Sequence, residues 1–361
     1  MTPITQLDVS AFTIPTDFPE ADGTMEWDST TLILVEAHAG GHKGMGFTYA
    51  DRAAAGVIDR VLSQVVLGRD ALATEGSWAV MIRAVRNIGR PGIASHAIAA
   101  VDVALWDLKS QLLNISLFTL LGAIRPAIPI YGSGGFTSYS IEQLQAQFAA
   151  WAAQGMRMVK MKVGSEPHHD LERVIAAKHI IGPEVELFVD ANGAYSRKQA
   201  LEFAEQFAAY DVHWFEEPVS SDDLDGLRLL RDLAPAGMNI AAGEYGYDTT
   251  YFQRMLKAGA IDVLQIDATR CGGITGFLEA AAVAQAHHIP ISAHTAPAIH
   301  AHVCCAVPGA QHVEYFHDHA RIEGMLFDGV LQPENGALQP DAARPGLGLE
   351  IKRTDAQKYA A

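Results

Sequence analysis

From Ile128 onward the chain alternates short β-rich runs with longer helical patterns, the rhythm of βα units packed on a parallel sheet. Eight such runs occur: Ile128 to Gly132, Met158 to Val163, Glu186 to Asp190, His213 to Glu217, Asn239 to Glu244, Asp262 to Asp267, Ile289 to His294, and Gln311 to Tyr315. Eight strands close a (β/α)8 barrel, whereas an open doubly wound sheet has no such count and usually carries a glycine-rich nucleotide turn after its first strand. Seven of the eight runs carry an ionisable residue at or near their C-terminal end: Lys162, Asp190, Glu216, Glu244, Asp267, His294 and Glu314. In a barrel those ends meet at one mouth, where active sites are built.

Taken singly, each residue has an ordinary explanation: Asp190 as a turn or helix cap, Glu216 as a solvated strand end, His294 as a core histidine. Seven at the same register of one repeating unit are better read as a site. Lys160 and Lys162, two residues apart on one strand, point to the same face. Held together, they are expected to disfavour double protonation, so that one has its pKa pushed down by the other and becomes a usable base, with Lys162 facing the substrate from one side. Asp190, Glu216 and Glu244 on successive strands would repel one another unless a hard divalent cation sat between them, and an all-oxygen set suits Mg2+. Such a cation can stabilise the enediolate formed when the carbon beside a substrate carboxylate loses its proton. His294 would face the substrate from the other side, with Asp267 fixing its tautomer. Glu314, if protonated in so acidic a pocket, could donate a hydrogen bond to the substrate carboxylate.

With 361 residues, 49% of them hydrophobic, the chain can bury a large core as one or two domains. A formal net charge of −16 and no basic stripe argue against nucleic acid as a partner. No secretory leader pattern and no run of about 18 apolar residues is present, so a cytoplasmic protein without membrane association is expected. Cys271, Cys304 and Cys305 show neither disulfide-framework nor zinc spacing and are expected to be buried small hydrophobes.

The first 124 residues read as a separate α+β unit. Thr5 to Phe12 and Ser29 to Ala37 are β-rich; Gly40 to Gly46 is expected to be a hairpin connection and not a phosphate loop. Pro15 to Thr30, with Asp17, Glu20, Asp22, Glu26 and Trp27, is expected to form a mobile loop. Apolar residues at Ile98, Val101, Leu105, Leu108 and Leu112 predict a helix with Ser95 as its N-cap.

The order K-x-K at Lys160–Lys162, Asp190, W-F-E-E-P with Glu216, A-G-E with Glu244, L-Q-I-D with Asp267, S-A-H with His294 and V-E-Y with Glu314 resembles the enolase superfamily, and within it the mandelate racemase subgroup. The resemblance covers nearly the whole chain. It implies an enolase-like modified TIM-type barrel over residues 125–324, with an α+β capping domain made of residues 1–124 and a returning C-terminal segment, 325–361. It also implies Lys162 as one base with Lys160 as its pKa-lowering neighbour, a His294–Asp267 dyad, Glu314 as electrophilic partner, Asn192 as a substrate contact and one Mg2+ per subunit. Lys160, Glu314 and Trp27 join Asn192 as expected substrate contacts. The muconate-lactonizing and dipeptide-epimerase subgroups place a lysine at the end of the sixth strand. Here that segment is D-A-T-R-C-G-G, with Arg270 and no lysine, which favours the racemase subgroup.

The same barrel supports several outcomes. Dehydration of an acid sugar to a 2-keto-3-deoxy acid is the leading expectation, with racemisation or epimerisation of a 2-hydroxy acid as alternative and a non-catalytic metabolite-binding protein as a further one. The acidic Asp17–Trp27 segment favours a monoacid over a diacid substrate, a preference that His42 and Lys43 could reverse. The segment Phe327 to Lys352 is expected to return to the cap and close part of the pocket, and a homo-oligomer is expected.

Overall fold

The computed structural model describes all 361 residues. Strands β1 (Ile4–Ala21), β2 (Glu26–Ala39) and β3 (His42–Tyr49) form an antiparallel sheet in that order. The β2–β3 hairpin turns on Gly40 and Gly41 alone, with φ of +57° and +78°, values that L side chains adopt only under strain. The rest of the glycine-rich stretch is strand, and its glycines have a packing purpose. A Cβ on Gly44 would stand 2.2 Å from the Leu108 amide nitrogen, and one on Gly46 2.2 Å from that of Ala104. Without them β3 lies directly on the helix Ile93–Leu113.

Pro15 to Thr30 is not a loop. Apart from a break between Pro15 and Glu20, β1 stays paired with β2 to Glu20–Trp27 and Ala21–Glu26. The polarity of the segment reflects one solvated face of a hairpin whose backbone is still paired. The helix Ile93–Leu113 begins at Gly92, so Ser95 does not cap it; Ser95 is buried in the first turn, where its hydroxyl donates to the Tyr247 carbonyl at 3.2 Å. This alanine-rich helix is buried along most of its length, which lets it serve the cap sheet on one side and the barrel on the other.

Eight parallel strands follow: β4 (Ile128–Gly134), β5 (Met158–Lys162), β6 (Glu186–Asp190), β7 (Val212–Glu216), β8 (Asn239–Ala242), β9 (Val263–Ile266), β10 (Ile291–Ala293) and β11 (Ala310–Phe316). Each pairs with the next, and β11 pairs with β4 to close the barrel. The lower interior is filled by Tyr131, Phe188 and Trp214, with the His312 ring 5.0 Å from that of Tyr131. Above this aromatic floor the interior changes to charged groups. The register sets Lys162 beside Asp190 and Asp190 beside Glu216, so three adjacent strands deliver ionisable groups at one height.

The C-terminal stretch packs away from the mouth. Strand β13 (Ala337–Leu338) pairs antiparallel with β4 at Ile128 and Pro129, at the opposite end of the barrel, and β12 (Phe327–Asp328) pairs with β14 (Glu350–Ile351). Leu347 N donates to Asp107 of the cap helix at 2.7 Å, and Arg353 grips Glu36. No residue of Phe327 to Lys352 lines the cavity at the mouth, so the expected closure of the pocket by this segment is corrected. All three cysteines are buried, and no helix is long and apolar enough to cross a membrane.

Candidate active site

The C-terminal ends of the barrel strands and the cap hairpin enclose a cavity of about 550 Å3. Lys162, Asn192, Glu244, Arg270, His294 and Glu314 line it from the barrel, and Asp22, Met25, Trp27, Thr30, Tyr49 and Asp51 from the cap. Lys162 leaves β5 and His294 follows β10; β4 and β11, the latter carrying Glu314, lie between them on the short arc of the ring.

Asp190, Glu216 and Glu244 are buried, and each offers an oxygen within 4.8 Å of the others. Asp190 accepts from Lys162 Nζ at 2.5 Å and from its own loop at Asn192 N, 2.9 Å away. Glu216 accepts both carboxylate contacts from Lys160 Nζ at 2.7 Å and one from the Trp214 indole at 3.0 Å. Glu244 accepts from Arg270 Nη1 at 3.0 Å through Oε1, while its buried Oε2 has no hydrogen-bond partner. An orphaned carboxylate oxygen beside two further carboxylates is a donor set that a hard cation completes. Glu244 thus lies close enough to serve as the third ligand despite its spacing from Glu216. Adjacent Glu217, also buried, has an unpartnered Oε1 and sits in a positive-φ conformation (+38°).

The lysine pair differs from the expectation. Burial disfavours charge on Lys160, yet Glu216 and Glu314 outweigh it and hold the ammonium well above the ordinary lysine range. Lys162 is likewise raised: burial works against it, and Asp190 reverses the effect. Lys160 does push Lys162 downward, but its own charge is already neutralised, so mutual repulsion is not what sets either lysine. Nor does Lys160 touch the cavity. It is 0% exposed, 2.8 Å from Glu314 and 2.7 Å from Glu216, so the structure places it beneath the site and not among substrate contacts.

Glu314 is also corrected. Against burial, Lys160 holds its carboxyl well below the usual range, so in this structure it is ionised and accepts hydrogen bonds instead of offering one. It accepts from Ser133 Oγ at 2.6 Å and from Thr295 N at 3.1 Å. His294 and Asp267 meet as expected: Nδ1 lies 2.9 Å from Asp267 Oδ2, which leaves Nε2 toward the cavity, 3.3 Å from Glu244 Oε2. Thr269 donates to the other Asp267 oxygen through both its amide and its hydroxyl at 2.7 Å. The Asp267 carboxyl is held far below its ordinary value; burial opposes this, and His294 supplies the largest opposing pull.

Trp27 lines the cavity. Its indole donates to Glu20 Oε2 at 2.8 Å and its ring stands edge-on to Phe136 at 5.7 Å. Burial and Asp318 push the Glu20 carboxyl up to about 8. Asn192 also lines the cavity, at φ +46°. His42 and Lys43 do not reach it: Lys43 is spent on Glu36 at 2.7 Å.

Several groups escaped the sequence reading. Ser133 lies on β4, the one barrel strand without an ionisable residue at its end, and a hydroxyl within an apolar run was the available signal. Arg270, noted only for what it replaced, bridges Glu244 and Asp267, with Nε 3.6 Å from Asp267 Oδ2. Tyr49 and His319 stack at 3.4 Å across the cap–barrel seam, a contact with no local sequence signature.

Comparison with known proteins agrees with this architecture. Residues 9–122 match the family described as mandelate racemase / muconate lactonizing enzyme, N-terminal domain, and residues 143–356 match the family described as enolase C-terminal domain-like. The chain belongs to the mandelate racemase/muconate lactonizing enzyme family of the enolase superfamily. A mandelate racemase/muconate lactonizing enzyme-like protein from Rubrobacter xylanophilus is 55% identical in sequence, with a TM-score of 0.98 over 99% of this chain and 100% of that one. A 3,6-anhydro-alpha-L-galactonate cycloisomerase from Streptomyces coelicolor is 30% identical over 96% of both chains. The L-talarate/galactarate dehydratase from Salmonella typhimurium LT2, solved with Mg and L-lyxarohydroxamate, is 27% identical, with a TM-score of 0.91 over 100% of this chain and 93% of that one.

Proposed function

We propose that this protein is an Mg2+-dependent lyase that removes the proton α to the carboxylate of an acid sugar and expels the β-oxygen, giving a 2-keto-3-deoxy acid. The observation that carries this reading is the placing of Lys162 and the His294–Asp267 pair on different walls of one cavity, with the buried Asp190–Glu216–Glu244 set at its base. The named cycloisomerase and dehydratase relatives support it, and the magnesium in the dehydratase structure supports the choice of ion.

Asp190, Glu216 and Glu244 would hold the ion. When bound, Mg2+ supplies positive charge that offsets the negative charge growing on the substrate carboxylate as the α-carbon is deprotonated. The remaining work falls to the chain. Asp190 cannot serve Lys162 and a cation at full strength, so ligation and the charge on Lys162 are linked; with Asp190 engaged elsewhere, burial is no longer offset and Lys162 is poised to give up its proton. Asp267 holds Nδ1–H of His294, so Nε2 is the atom that exchanges a proton with substrate. In a dehydration one of these groups takes the α-proton, the other gives a proton to the departing hydroxyl, and water leaves. Ser133, Thr295 and Lys160 fix the Glu314 carboxylate at the cavity wall, where it can accept a hydrogen bond from a substrate hydroxyl.

The distal wall supports a monoacid. Thr30, Asp51 and Asp22 offer hydroxyl and carboxylate oxygens suited to a polyol beside the Trp27 ring, and the cationic Arg270 is already engaged by Glu244 and Asp267. The 30% identity to a cycloisomerase favours a second reading, in which the expelled oxygen stays tethered within the same molecule. Incubation with mono- and diacid sugars and 2-hydroxy acids in D2O with Mg2+, followed by proton NMR, separates these outcomes. A 2-keto-3-deoxy product from a monoacid is the expected result. Deuterium exchange at the α-carbon without loss of oxygen would replace the lyase by a racemase or epimerase, and no exchange with any acid would remove the enzymatic reading.

A further inference from the structure

A second group of ligand-type side chains lies outside the site described above. Asp17, on the stretch of β1 where pairing with β2 breaks, and Glu20, where it resumes, meet His317, the first residue of the helix after β11. Each offers an atom within 4.8 Å of the other two. His317 Nε2 lies 3.0 and 3.2 Å from the two Asp17 oxygens. Glu20 is the unusual member. It is 0% exposed, its Oε2 is taken by the Trp27 indole at 2.8 Å, and its buried Oε1 has no partner.

The surrounding charge is unbalanced. Asp318 adds a further carboxylate, already committed to Thr30 Oγ1 at 2.5 Å and to Arg321 Nη2 at 2.6 Å. The same Arg321 nitrogen also donates to the Pro15 carbonyl, and neither it nor the unpartnered Nε of this guanidinium hydrogen-bonds to Glu20 Oε1. A carboxyl oxygen buried without a partner is costly, and a cation that displaces the Glu20 proton is a group that relieves it. One imidazole with two carboxylates is a borderline donor set, which favours Zn2+ over the hard Mg2+ suited to the all-oxygen triad.

We propose that Asp17, Glu20 and His317 form a second divalent-cation site that takes Zn2+ in preference to Mg2+ and pins the β1–β2 hairpin to the barrel mouth. Two ligands come from the cap and one from the barrel, so the cation spans the seam between them. Glu20 also carries the Trp27 indole, and Trp27 lines the substrate cavity; occupancy therefore fixes the wall that faces a substrate. The site does not depend on the reaction proposed for the cavity.

The test is calorimetric titration of Zn2+ into the full chain saturated with Mg2+, together with metal content per chain after desalting. One Zn2+ per chain is expected in the wild type, with apparent affinity at least tenfold weaker in His317→Ala and in Glu20→Gln. His168→Ala serves as control, because Glu166, His168 and His169 form another surface group of the same residue types, and it should bind Zn2+ as the wild type does. Zn2+ should slow proteolytic cleavage at the hairpin tip in the wild type and not in His317→Ala. A wild type that takes no Zn2+ over Mg2+, or a Zn2+ equivalent that survives in His317→Ala, overturns the proposal. Thermal unfolding of each variant shows that it is folded, and partly exposed His317 makes that variant the safer of the two.

Discussion

The barrel and the cap contribute to the same cavity by different physical means. The barrel supplies charge at fixed positions. Lys162, Asp190 and Glu216 are held at one height by the register of three neighbouring strands, so backbone hydrogen bonds set their spacing before any side chain packs. The cap supplies shape. Met25, Trp27 and Tyr49 reach the cavity only because the hairpin and β3 dock on the barrel, and their positions depend on contacts hundreds of residues away, such as Thr30 with Asp318 and Tyr49 with His319. Losing a barrel group should therefore remove chemistry, and altering the cap should change binding or docking.

The largest expected effects lie in the barrel. Lys162→Ala and Asp267→Asn should each lower α-proton exchange by about 10^3-fold, within the range by which general acid–base groups contribute. Asp267→Asn leaves the imidazole in place but deprives Nδ1–H of its anionic acceptor at 2.9 Å. Exchange followed by NMR at saturating acid checks both. A loss confined to KM would show that these groups bind substrate and do not move its proton, and the contrast between the two regions would fail.

That contrast also explains what could be read from the sequence. The eight strands and the residues at their ends were legible because a parallel barrel repeats one local pattern, and Asp190, Glu216, Glu244, Asp267, His294 and Glu314 fall where that repeat places them. The protonation of the site was not legible. Spacing shows Lys160 beside Lys162, but only the packed interior shows that Glu216 and Glu314 neutralise Lys160, which reverses the direction expected for Lys162 and leaves Glu314 ionised. The polar composition of Pro15 to Thr30 suggests a loop, because the solvated face of the hairpin dominates it and the register break between Pro15 and Glu20 hides the strand alternation, while the pairing resumes at Glu20 with Trp27. Ser95 fulfils the residue preference of a cap, yet the helix starts three residues earlier, because Gly92 makes the turn into it.

The seam between the regions offers the next test. Asp102 on the cap helix is buried and accepts from Thr275 N at 2.9 Å and Thr275 Oγ1 at 2.7 Å, on the barrel helix Gly273–Ala286. Burial pushes its carboxyl up to about 7 from an ordinary 3.8, Thr275 pulling the other way. The folded state thus holds a proton that the unfolded chain releases near pH 4. The associated stability is fully present below that pH and is lost as pH rises through about 7, a swing of roughly 4 kcal/mol at most. Asp102→Asn should flatten the decline in thermal midpoint between pH 4 and 7. An unchanged slope would mean that the seam does not titrate in this range.

Within the cap, Gly46→Ala should cost on the order of 3 kcal/mol, since overpacking of a filled contact costs that much and the new methyl would stand 2.2 Å from Ala104 N. Because β3 is pressed on the helix Ile93–Leu113, the sheet must shift as a body and Tyr49 with it. The expected signature is a lowered thermal midpoint together with weaker substrate binding, but with Mg2+ affinity retained, as the carboxylate set lies on the barrel. Loss of Mg2+ binding in this variant would show that the cap shapes the charged site as well as the cavity.

The smallest effect is expected at the hairpin tip, where the comparison is sharpest. Trp27 touches the cavity but no residue of the carboxylate set: its indole is engaged by Glu20 and its ring by Phe136. Trp27→Ala should therefore raise KM by about tenfold, equivalent to ~1.4 kcal/mol of binding, and leave kcat little changed, because the interaction is made equally before and during proton transfer. Trp27→Phe preserves the edge-on contact with Phe136 and removes only the indole N–H, so it separates the roles of the ring and of its hydrogen bond. If Trp27→Phe behaves as the wild type, shape is what the hairpin supplies. If it behaves as Trp27→Ala, the bond to buried Glu20 holds the wall in place. A fall in kcat in either variant would mean that closure of the hairpin governs the chemical groups beneath it, and the division between a barrel that reacts and a cap that binds would not hold.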